Sequence, residues 1–135
     1  METIAKGPLM LVIDDEVPIH RAFERCFRRG GFRVMGAQDG DIGLDLARAE
    51  MPDVILLDVN MPRLDGRDVL VRLQNDAQLK DIPVVIITSR IDHLLRQQML
   101  EDGAEDVFEK PFDPVIIARR LSWIIEKKRA AATNN

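Results

Sequence analysis

Three short apolar runs stand out from the polar background of the chain: Leu9–Met10–Leu11–Val12–Ile13, Val54–Ile55–Leu56–Leu57 and Val84–Val85–Ile86–Ile87. Each is too short for a free-standing helix, draws on β-branched residues and does not alternate with polar positions. Continuous runs of this kind predict strands buried on both faces, as in a parallel sheet. Two weaker candidates, Phe32 to Met35 and Asp106 to Phe108, bring the predicted strands to five.

Helical patterns lie between the runs, with punctuation at their ends. Pro18 sits near the start of the first, where its missing N–H costs little, and Gly30–Gly31 follow its end. Asp39 is placed to cap the second, which stops before Met51–Pro52. Asp65–Gly66 open the third and Asp92 the fourth, with Gly103 after the latter; Asp113–Pro114 open the last. The order βαβαβαβαβα predicts an α/β fold, doubly wound, with a parallel sheet and helices on both faces.

In such a sheet, ligands gather at the carboxyl ends of the strands. The first strand is followed there by Asp14, Asp15 and Glu16, and the third ends at Asp58. The fourth ends at Thr88–Ser89, and the fifth leads to Lys110–Pro111. Asp14, Asp15 and Asp58 converge if the first and third strands are neighbours, and three adjacent carboxylates need a proton or a cation to compensate them. Hard oxygen ligands suit Mg²⁺. His20 and His93 lie off this edge, which argues against zinc. With Lys110 as a fixed cation and Thr88 as a hydroxyl donor, the set fits a phosphoryl group, and Asp58 is placed to attack phosphorus.

Composition narrows the setting. The 135 residues fit one domain, and a formal net charge of −4 gives no electrostatic reason for direct nucleic-acid or membrane binding. No apolar stretch approaches a membrane span, and Met1 to Gly7 do not read as a secretory signal. The lone Cys26 excludes an internal disulfide, is compatible with a reducing cytoplasm and reads as a buried small hydrophobe on the first helix. A cytoplasmic protein is expected.

These motifs, in this order, resemble the receiver domains of two-component response regulators. The resemblance rests on Val12–Ile13–Asp14–Asp15–Glu16, on Leu57–Asp58–Val59–Asn60–Met61–Pro62 with Asp65–Gly66, on Ile87–Thr88–Ser89, and on Gly103–Ala104 leading to Lys110–Pro111–Phe112. It implies a flavodoxin-like (βα)5 fold with strand order 2-1-3-4-5, a receiver domain over 8–127, and flexible termini at 1–7 and 128–135. It further implies Asp58 as phosphoacceptor, Asp15 as a direct Mg²⁺ ligand and Asp14 acting through metal-bound water. The backbone carbonyl of Asn60 would complete the protein ligands, leaving that side chain freer to vary. Lys110 would pair with the phosphoryl group, the peptide bond before Pro111 would be cis, and Thr88 would swing toward the phosphate.

The implied donor is a histidine kinase or phosphotransfer protein. The only implied chemistry is Mg²⁺-dependent self-phosphorylation and autodephosphorylation, without turnover of external substrates. One departure concerns Val107, which stands where the family usually carries an aromatic residue or histidine; Phe108 is one residue later and, on a strand, faces the other side. Arg90, two positions after Thr88, reads as a solvated loop residue.

The last helix has Ile117, Leu121, Ile124 and Ile125 at the spacing of one buried face, while Ile116 and Trp123 lie seven residues apart on another. With Arg119 and Arg120 nearby, Ile116, Arg119 and Trp123 make a candidate face for a second copy or a target protein. Three alternatives carry different expectations. A haloacid-dehalogenase-type phosphatase needs a second Asp where Asn60 stands, and a flavin mononucleotide site would be repelled by Asp14–Asp15–Glu16. A degenerate receiver acting as a constitutive interaction module would take no phosphoryl group.

Overall fold

A computed structural model describes residues 7–61, 65–89 and 92–133 of the chain. Five strands and five helices alternate: β1 (Leu9–Ile13), α1 (Val17–Arg29), β2 (Arg33–Ala37), α2 (Gly40–Glu50), β3 (Val54–Asp58), α3 (Gly66–Asn75), β4 (Val84–Thr88), α4 (His93–Glu101), β5 (Asp106–Glu109) and α5 (Pro114–Thr133). The sheet is wholly parallel in the order β2-β1-β3-β4-β5, the flavodoxin-like arrangement.

Why the three apolar runs do not alternate is visible in the packing. Leu11, Ile13, Ile55, Leu57, Val84 and Ile86 face a core shared with Leu44 of α2, Leu70 of α3 and Met99 of α4. Met10, Val12, Val54, Leu56, Val85 and Ile87 face a second core with Phe27 of α1 and Leu121 of α5. Every residue of β1, β3 and β4 is therefore buried. At about 1.5–3 kcal/mol for each fully buried large aliphatic side chain, these central strands dominate the burial that holds the sheet.

Local signals fall where expected. The carboxylates of Asp39 and Asp92 accept from the N–H groups of Ile42 and Leu95, as N-caps. Asp65 accepts from the Arg67 N–H, and Asp113 from the Val115 N–H just past Pro114. Gly31 and Gly103 follow α1 and α4 with φ of 94° and 109°. Among the described residues one non-glycine, Met51 at φ 47°, takes the left-handed conformation, closing α2 by donating its N–H to the Ala47 carbonyl.

Several boundaries differ from expectation. β2 spans Arg33–Ala37 rather than Phe32–Met35, and β5 runs on to Glu109 rather than ending at Phe108. Phe32, outside the strand, packs edge-on against Phe27 with ring centroids 6.2 Å apart. α5 runs to Thr133, so residues 128–133, expected in a loose terminus, are helical. Lys128 pairs with Glu105 at 3.1 Å and Arg129 with Asp53 at 3.6 Å, and Ala130, Ala131 and Ala132 are strong helix formers. Pro62, Arg90 and residues 1–6 lie outside the described residues.

Candidate functional site

Two strands end in carboxylates that fix their own turns. Past β1, Asp14 Oδ1 accepts the Glu16 N–H at 2.9 Å; at the end of β3, Asp58 Oδ1 accepts the Asn60 N–H at 2.9 Å. In each case one oxygen is held by the backbone two residues on, and the other turns to Lys110. The Lys110 ammonium donates to Asp14 Oδ2 at 3.2 Å and to Asp58 Oδ2 at 3.3 Å, and also to Glu16 Oε1 at 3.2 Å. Asp14 and Asp58 are buried, whereas Asp15 and Glu16 are exposed. Lys110 reaches them across the sheet from just beyond β5, immediately before a cis Lys110–Pro111 bond.

The electrostatics follow from this packing. Burial raises the pKa of Asp58 above the ordinary 3.8; the Asn60 N–H pulls it back, nearby Asp14 pushes it up again, and Lys110 opposes both increases. For Lys110, burial alone would lower the pKa, but Asp58, Asp14 and the bond to Glu16 outweigh it and raise the value above 10.5. The lysine is a permanent cation here.

One ammonium does not balance four carboxylates. Asp14, Asp15, Glu16 and Asp58 each place an oxygen so that all four atoms lie within 4.8 Å of one another. The donor set is all oxygen and contains no sulfur or imidazole, which fits a hard divalent cation such as Mg²⁺. His93 is exposed at the start of α4 and outside this group; the side chain of His20 lies outside the described residues.

Thr88 is buried at the end of β4, and its hydroxyl donates to Asn60 Oδ1 at 2.9 Å. The same oxygen accepts from the Ser89 N–H at 2.8 Å and the Ser89 hydroxyl at 3.1 Å. The Asn60 side chain is thus engaged with both residues at the end of β4. Sequence reasoning missed this and the Glu16–Lys110 contact. Glu16 was marked only by following two aspartates, and nothing along the chain could announce an acceptor whose donors arrive from the neighbouring strand. Val107 is buried on the same side of the sheet as Ile86, and Phe108 packs on the opposite side with Ile87. No aromatic ring therefore occupies the Val107 position.

Residues 10–122 match the family model described as the response regulator receiver domain. The chain belongs to this family. The receiver domain is 36% identical over 135 residues to the transcriptional regulatory protein PrrA of Mycobacterium leprae, covering all of this chain and 57% of that protein. It is 36% identical over 123 residues to the probable transcriptional regulator ycf27 of Guillardia theta, covering 91% of this chain and 47% of that one. The chain spans about half the length of these curated relatives. Among solved structures, the receiver domain of Francisella response regulator 1452 superposes with a TM-score of 0.84 at 29% identity, covering 90% of this chain and 98% of that one. Vibrio cholerae chemotaxis protein CheY4 gives 0.80 at 27% identity, covering 87% and 98%.

Away from the pocket, α4, β5 and α5 of the receiver domain are tied by one carboxylate. Asp106 accepts from Arg96 at 3.2 Å and from Arg120 at 2.9 Å, while Arg96 also donates to the Val107 carbonyl at 2.8 Å. Arg120 and Lys127 lie over the Trp123 ring at 4.5 and 5.1 Å. Trp123 and Ile116 remain 48% and 57% exposed, so neither belongs to the core of α5. Cys26, expected as a buried hydrophobe, is only half-buried and lines a groove of about 530 Å³ with Arg29, Val115 and Trp123. The α1 C-terminus and α5 do not close fully over it. No helix of the described residues is long and apolar enough to cross a membrane.

Proposed function

We propose that the receiver domain accepts a phosphoryl group on Asp58 from a phosphohistidine of a histidine kinase or phosphotransfer protein. The observation that carries this reading is the Lys110 ammonium bridging Asp14 and Asp58 at 3.2 and 3.3 Å. Asp58 attacks phosphorus, the new O–P bond forming as the donor's N–P bond breaks. No general base is required, since a carboxylate oxygen is itself the nucleophile and phosphoryl transfer asks chiefly for positioning and charge neutralisation. The Asn60 N–H fixes one Asp58 oxygen, and Lys110 holds the other and then pairs with the incoming phosphoryl oxygens. Thr88 donates its hydroxyl to a third oxygen after rotating from its resting partner. Asp14, Asp15, Asp58 and the Asn60 carbonyl would hold Mg²⁺ when it is bound, and it would supply the remaining charge neutralisation.

The chemistry ends with one phosphoryl group per domain and its hydrolysis. Asn60 carries an amide, which cannot relay a proton as a second aspartate would, and this opposes turnover of external phosphate esters. A cytoplasmic setting agrees with a single unpaired cysteine. Incubation with a small phosphodonor is expected to add one phosphoryl group by intact mass, and removal of divalent cations with a chelator to abolish the adduct. Persistent absence of the adduct under rapid trapping would favour a constitutive interaction module.

The output surface is proposed on the face of Ile116, Arg119 and Trp123, where two large apolar groups stand exposed among cations. Ile116→Glu together with Trp123→Ala is expected to weaken self-association or target binding of the phosphorylated form at least tenfold by sedimentation or titration. Unchanged association and affinity would remove this face from the proposal.

A further inference from the structure

We infer that the Asn60 side chain is a positioning residue that holds the switch hydroxyl of Thr88 away from Asp58, and so sets how readily the domain accepts its phosphoryl group. This rests on the phosphoacceptor reading of Asp58 and goes beyond it.

Asn60 stands two residues past Asp58, and Ser89 immediately follows Thr88. One oxygen, Asn60 Oδ1, accepts from Thr88 Oγ1 at 2.9 Å, from the Ser89 N–H at 2.8 Å and from Ser89 Oγ at 3.1 Å. The loops after β3 and β4 are therefore clasped through a single carboxamide. A hydroxyl carries one proton to donate. While Thr88 gives it to Asn60, a phosphoryl oxygen on Asp58 does not receive it, so the two acceptors compete. The two Ser89 bonds keep Asn60 oriented when Thr88 departs, so the resting acceptor stays in place for its return. The carboxamide is neutral and sets this balance without adding charge to the acidic group beside it. Asn60 is itself exposed, so shortening it opens no core cavity.

Two measurements test the clasp. In the domain without any phosphoryl mimic, side-chain NMR couplings of Thr88 are expected to report one rotamer in the wild type and averaging in Asn60→Ala. Titration with beryllofluoride in the presence of Mg²⁺ is expected to show about fivefold tighter binding by Asn60→Ala, the scale of one neutral hydrogen bond lost from the resting state. In a Thr88→Val background, where no hydroxyl remains to be released, the same Asn60→Ala change is expected to leave the affinity unmoved. An unchanged Thr88 rotamer in Asn60→Ala overturns the inference, as does an equal affinity shift in both backgrounds. Failure of the wild type to bind beryllofluoride would instead remove the phosphoacceptor reading, and the rotamer comparison alone would then decide whether Asn60 holds Thr88.

Discussion

Asp58→Asn is expected to abolish the phosphoryl adduct completely by intact mass while making the folded domain more stable. The two effects have one origin. Asp58 is buried beside Asp14, and burial followed by that second negative charge raises its pKa despite Lys110 and the Asn60 N–H. An asparagine keeps the shape and can still accept the Asn60 N–H through its carbonyl oxygen, but it offers no anionic nucleophile. Removing an incompletely compensated buried charge is expected to stabilise by about 1–2 kcal/mol, or roughly 3–10 °C in Tm for a chain of this size.

The pH dependence gives the sign a separate check. Because the folded pKa lies above the unfolded value near 3.8, the native state binds this proton more tightly than the unfolded chain. The cost of ionised Asp58 is fully present above the raised pKa and is relieved as pH falls from there toward 3.8. The stability advantage of Asp58→Asn is therefore expected to be largest at neutral pH and to shrink on acidification, measured by urea unfolding at a series of pH values. An advantage that grew toward low pH would contradict the assigned strain.

Gly66→Ala is expected to be among the most damaging single-methyl changes in the domain. A Cβ at this position would lie 2.4 Å from the Val59 Cα and 2.5 Å from the Asp58 carbonyl oxygen. Both contacts are with backbone, so no side-chain rotation relieves them. Either α3 backs away from the end of β3, or the Asp58–Asn60 segment shifts. Overpacking of this kind costs about 3 kcal/mol, or roughly 8–15 °C in Tm. The same displacement moves the turn that fixes Asp58 Oδ1, so phosphorylation by a small donor is expected to slow at least tenfold even at temperatures where the variant is folded. A variant with wild-type Tm and wild-type phosphorylation rate would show that the close approach carries no consequence.

Much of this fold could be read along the chain, for a physical reason. β1, β3 and β4 are covered on both faces, so both parities of each strand are apolar and the runs are continuous. β2 and β5 lie at the sheet edges and keep exposed positions, so their patterns are weak and their ends moved by one or two residues. The caps Asp39 and Asp92 were legible because capping acts over three residues. The half-exposed Cys26 and the helical 128–133 segment were not, since each depends on what packs beside it from a distant part of the sequence.

Acidic residues, a hydroxyl and a lysine stand at or just beyond the ends of β1, β3, β4 and β5 in the order of the chain, and a parallel sheet brings those carboxyl ends to one rim. Which atoms meet there depends on the packing in space. Lys110 lies 96 positions from Asp14 and 52 from Asp58, and only the cross-sheet approach shares its ammonium among Asp14, Glu16 and Asp58. The Asn60 carboxamide likewise gained its role only when β4 came alongside β3, since hydrogen bonding reads distance and angle in space and leaves no periodic trace along a chain.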